Sequence, residues 1–138
     1  MERLLIAVAI AVAALIVAAV ARRRAAPPAP TRTGHTVPDQ IDRADFDRPD
    51  APWLVVEFSS RTCLSCAGTW EKVALLESKE VATQDVAYQE RRDLHDRYGI
   101  DAVPVVLVAD AEGVVRSSFV GPPPAADLWA AVAALRED

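Results

Sequence analysis

Apolar residues fall along this chain in three patterns. Residues 4–21 carry no charged or polar side chain. At about 1.5 Å per residue, such a helix runs roughly 27 Å, close to the thickness of a bilayer core, and it has no face for water. Residues 53–58 are apolar on both sides of a strand except at Glu57, which predicts a central strand covered on both faces. Residues 103–108 repeat that pattern, with Pro104 at the start of the strand because it has no N–H to donate. Elsewhere the period changes to three and four. Ala67, Trp70, Val73 and Ala74 line one face of a helix over about residues 65–77, with Trp70 read as core. Leu128, Trp129, Val132 and Leu135 do the same over about residues 125–136, with Asp127 near the start, where negative charge is favourable.

Weaker signals fill the gaps. Asp42 caps a short helical turn over residues 43–48 that Pro49 ends, with Phe46 pointing inward. A weaker strand is expected near residues 85–89. A short polar helix follows, closing at Tyr98 with Gly99 as its stop, and His95 on it is expected to be exposed. Residues 110–113 form a turn, and a strand over 114–120 completes an antiparallel hairpin. Gly121 and the three prolines after it break the chain before the last helix. The first crossover must return as a right-handed parallel pair, and the hairpin sets antiparallel neighbours at one edge. The fold class is α/β: a mixed four- to five-stranded sheet with helices on both faces, preceded by one N-terminal transmembrane helix.

Charge divides the chain in the same places. It holds 15 Lys+Arg and 20 Asp+Glu. Five basic residues and one acidic residue precede Thr36, which leaves 10 basic and 19 acidic residues, a net of −9, in the remainder. Such a domain repels nucleic acid and anionic lipid. Ala19-Val20-Ala21 imitates a signal-peptide cleavage site, but the apolar run is long for a signal core and Arg22, Arg23 and Arg24 follow it rather than precede it. The positive-inside rule makes the run a single-pass anchor with the domain in the cytoplasm. The extracytoplasmic face is the alternative. The reading is an anchor with basic flank over residues 1–24, a Pro/Ala-rich linker over 25–37 containing a solvated His35, and a domain over 38–138.

Cys63 and Cys66 are the two cysteines of the chain. If a strand ends near Phe58 and a helix begins near Cys63, both sulfurs lie at a helix N-terminus, where unpaired N–H groups and the dipole favour thiolate. Thiolate is the species that attacks a disulfide. Cys63, at the more exposed first position, is the candidate attacking sulfur, and Cys66, one turn inside, the resolving one. A zinc site wants four ligands and the pair supplies two, with His35 and His95 far from it in sequence. A redox-inert module that uses the fold to hold a partner is the stronger alternative.

The order of elements, a Cys-x-x-Cys after the first strong strand, YGI-x-x-VP about 40 residues on, and a glycine after the last strand resemble the thioredoxin family over residues 41–135. The likeness extends to membrane-tethered bacterial members. It implies that Cys63 and Cys66 are nucleophile and resolver of a redox-active disulfide, with no other cofactor. It implies that Pro104 is a cis-proline facing the pair, and that Val103, Thr62 and Gly121 line the substrate groove. Glu57 falls on a buried acid that moves a proton to and from the resolving cysteine. The usual Trp-Cys-Gly-Pro-Cys is here Thr62-Cys63-Leu64-Ser65-Cys66, Ser59 replaces an aromatic, and Asp85 stands where a lysine usually neighbours the acid. The implied activity is thiol–disulfide oxidoreductase. Its partners are protein dithiol or disulfide clients and an electron donor or acceptor, acting on a monomer.

Overall fold

A computed structural model describes residues 1–24 and 37–138, without the side chains of 3–5 and 18–24. Of the linker reading over residues 25–37, residues 25–36 with His35 fall outside what is described, as do the side chains of the suggested cleavage site at Ala19–Ala21. The chain divides into two units, Met1–Arg32 and Thr33–Asp138.

The first unit contains helix α1 (Glu2–Arg24). Its apolar residues Ile6, Val8, Ile10, Val12, Leu15, Ile16 and Val17 are all exposed, so no polar face separates from an apolar one. Among the described residues no helix is long and apolar enough to cross a membrane.

In the second unit, β1 (Trp53–Ser59) is central. It pairs in parallel with β2 (Val81–Ala87) and antiparallel with β3 (Val105–Ala109), and β3 continues to β4 (Val115–Val120), giving the order β2-β1-β3-β4. The mixed sheet is therefore four-stranded, at the lower end of expectation. An isolated bridge from Gln40 to Val114 adds a short pairing at the edge. The parallel β1–β2 pair is connected through α2 (Cys66–Ala74).

Alternation along β1 distributes the core to two faces. Leu54, Val56 and Phe58 join Ile41, Phe46, Val86, Leu94 and Leu107 on one side. A short 3-10 turn (Arg43–Asp45) and α3 (Arg92–Arg97) cover that side. Val55 joins Val73, Val106, Val108, Leu128 and Val132 on the other, under α2 and α4 (Ala125–Glu137). The Asp42 side chain caps the 3-10 turn by accepting from the Ala44 N–H, as its position predicts.

Three local expectations need correcting. β2 begins at Val81, not Asp85, because its polar middle, Thr83-Gln84-Asp85, breaks the apolar signal of an edge strand. The buried face of α2 is Cys66, Thr69 and Val73, flanked by half-buried Trp70 and Ala74, while Ala67 is exposed. His95 is 2% exposed, not solvated. Its Nε2–H donates to the Val86 carbonyl at 2.8 Å, and its ring meets Phe58 and Tyr88 edge-on.

Candidate active site

Cys63 and Cys66 form a disulfide, with Cα atoms 5.5 Å apart. The loop between β1 and α2 holds them. The Cys63 N–H donates to the Ser60 carbonyl at 3.1 Å, and Cys66 is the first residue of α2. Cys66 is buried at 4% exposure, whereas Cys63 is half-buried with its Sγ 3.7 Å from Ser65 Oγ. The outer sulfur is thus the accessible one, and both lie at a helix start where amide N–H groups lack helical partners.

Glu57 projects from β1 on the face that α2 and α4 cover. It is completely buried, and neither carboxyl oxygen has a hydrogen-bond partner among the described residues. Burial, reinforced by the Asp85 carboxylate, pushes its pKa up to about 8. Such a group is mostly protonated at neutral pH and can take or give a proton there.

A pocket of about 320 Å³ reaches this region, lined by Ser59, Ser60, Arg61, Cys63, Cys66, Ala67, Trp70, Glu71 and Asp85. Both cysteines therefore line it. Trp70 packs on the core as expected and also forms part of this wall. Ser59 donates its hydroxyl hydrogen to Asp85, and Arg61 bridges to Glu90 with Asp85 at 3.8 Å. Arg61 carried no distinctive signal in the sequence, because an exposed arginine looks like ordinary loop, and Ser59 stood out there only as the replacement of an aromatic.

The Val103–Pro104 bond is cis, and Pro104 is buried. It stands immediately before Val105, the register partner of Phe58, so it lies at the end of β1 from which the cysteine loop departs. Gly121, at φ +87°, donates its N–H to the Pro104 carbonyl at 2.8 Å. Val103 is half-buried and lines a second pocket of about 170 Å³ with Ser60, Tyr88, His95 and Ile100. Thr62 is exposed, its hydroxyl 3.1 Å from Ser60 Oγ. Of the residues singled out in the sequence, the cysteine pair lines the first pocket and Val103 the second, while Ser60 borders both. Thr62 and Gly121 line neither.

No family model and no curated protein matches the sequence. Solved structures do match. The Drosophila melanogaster germline thioredoxin Deadhead is 20% identical, covering 63% of this chain and 84% of its own, with a TM-score of 0.55. Fasciola hepatica thioredoxin is 22% identical, covering 60% and 80%, with a TM-score of 0.53. A thioredoxin variant from Halobacterium salinarum is 23% identical, covering 58% and 71%, with a TM-score of 0.51. Likeness in backbone over most of those chains, at such low identity, establishes the architecture: the domain that carries the Cys63–Cys66 disulfide has the thioredoxin fold.

Proposed function

We propose that this protein is a membrane-anchored thiol–disulfide oxidoreductase acting on protein clients. One observation carries the reading: a half-exposed and a buried sulfur form an exchangeable pair on the strand–helix loop that follows a buried, unpartnered Glu57 carboxyl. In the reductive direction the Cys63 thiolate attacks a client disulfide, and one client sulfur leaves as thiolate. Cys66 then gives its proton to ionised Glu57 and attacks Cys63 Sγ. The second client sulfur leaves, and the Cys63–Cys66 disulfide remains. In the oxidative direction a client thiolate attacks Cys63 Sγ, and the departing Cys66 thiolate takes the proton from neutral Glu57; a second client thiolate then attacks the client sulfur of the mixed disulfide, and Cys63 leaves as thiolate. Pro104, Val103, Gly121 and Thr62 shape the client's seat.

The apolar, unfaced α1 supports anchoring, and the arginines that follow it support a cytoplasmic domain, where a reductase role fits best. Substituting Cys63→Ser and following reduction of a disulfide-bonded protein by a dithiol tests the activity. The rate is expected to fall to that of the dithiol alone. Undiminished turnover overturns the reading and leaves a redox-inert scaffold. Fractionation of the full chain with membranes, and a reporter fused after Asp138, test anchoring and side.

A further inference from the structure

Glu57 of β1 and Asp85 of β2 are register partners in the parallel ladder. Their backbones run about 4.8 Å apart and their side chains leave the same face of the sheet. The two carboxyls differ in every other respect. Glu57 is fully buried and has no hydrogen-bond partner among the described residues. The Asp85 side chain is 23% exposed at the pocket that both cysteines line, fixed by the Ser59 hydroxyl and faced by Arg61 at 3.8 Å. Ser59 lies two residues beyond Glu57 on the same strand and so shares its face of the sheet.

Other elements around Glu57 bring little charge. Its partner on β3 is Val106, and α4 contributes Leu128 and Val132, with Asp127 exposed. From α2 come Cys66, an exposed Glu71 on the pocket wall, and Lys72, whose ammonium donates to the Pro123 carbonyl at 2.9 Å. Asp85 is the charged neighbour that adds to burial in holding the Glu57 proton.

We propose that Asp85 is a positioning residue of the cysteine site: held by Ser59 and Arg61, its carboxylate keeps the proton on Glu57 and so sets the pH at which Cys66 exchanges its proton. Two like charges on adjacent strands resist simultaneous ionisation, and the buried one yields. The consequence is a pH dependence. At neutral pH a protonated Glu57 is ready to protonate a departing Cys66 thiolate, while few molecules hold the ionised Glu57 that would accept the proton of a Cys66 thiol. Asp85 thereby moves the pH range over which the proton passes between Glu57 and Cys66, in both directions of exchange.

The functional half of this inference rests on the proposed oxidoreductase activity, but its physical half does not. The test is an infrared pH titration of the oxidised full chain, following the carbonyl band of protonated Glu57, identified by its loss in Glu57→Gln. Asp85→Asn is expected to lower the midpoint by on the order of one pH unit. Asp85→Ser repeats the charge removal with a smaller side chain, and Asp85→Glu, which keeps the charge, is expected to stay above both. An unchanged or raised midpoint in the neutral variants overturns the proposal whether or not the protein has activity. With activity in hand, the pH profile of turnover is expected to move with the midpoint. A lowered midpoint with an unmoved profile overturns the catalytic consequence.

Discussion

The Gly121 N–H donates to the Pro104 carbonyl at 2.8 Å, joining the chain just past β4 to the residue just before β3. Gly121 makes that bond at φ +87°, a conformation that a side chain resists, yet a Cβ there meets nothing within 4 Å. Gly113 in the β3–β4 turn has φ +82° as well, but a Cβ there would overlap the Ile41 carbonyl. Gly121→Ala is therefore expected to cost about 1–2 kcal/mol, from backbone strain alone. Gly113→Ala is expected to cost roughly 3 kcal/mol or more and to release the Ile41 N–H from the Gly113 carbonyl, a 2.9 Å bond. Urea unfolding of the two variants measures the difference. Equal losses would show that conformation, not crowding, governs both glycines.

The buried Glu57 gives stability a pH dependence of predictable sign. Its pKa is raised to about 8 in the folded chain, well above the ordinary carboxyl value that the unfolded chain retains. The folded state therefore binds the proton more tightly. The stabilisation is complete below the unfolded value, and it is lost progressively as pH rises from there through about 8. Glu57→Gln removes that dependence. Denaturation midpoints measured between about pH 5 and pH 8 are expected to fall in the wild-type chain and to run flatter in the variant. Parallel curves would show that Glu57 does not keep its proton.

His95 closes an edge. β2 is an outer strand, so the Val86 carbonyl can look to a side chain for its donor, and the His95 Nε2–H supplies it. Since a carbonyl accepts only, Nε2 carries the hydrogen. His95→Ala is expected to cost roughly 2–4 kcal/mol, from the void beside Phe58 and the orphaned carbonyl together. Equilibrium unfolding measures it, and a loss under about 0.5 kcal/mol, the range of surface positions, would mean the ring is not embedded as described.

The features legible in the sequence are those written in neighbouring residues. Two apolar runs predicted β1 and β3, and the turn at residues 110–113 predicted the hairpin to β4. Cys63 and Cys66, three positions apart, announced their own pairing, and the apolar strand before them implied which sulfur lies deeper. Asp42, Gly99 and Pro104 each declared a local backbone role through capping chemistry, a positive φ or a missing N–H.

Three other features depended on contacts between distant residues. Whether His95 is wet depends on Phe58 and Val86, which are remote in the chain, and its polar neighbours Asp93 and Asp96 argued locally for solvent. The start of β2 depends on the β1 register, since Thr83, Gln84 and Asp85 hold strand geometry only because β1 pairs with them. The Glu57–Asp85 relation and the pocket that both cysteines line exist only once helix α2 and two parallel strands have come together. Periodicity reports which face a residue occupies. Proximity across a sheet, which sets a buried carboxyl's affinity for its proton, is decided by the packed chain.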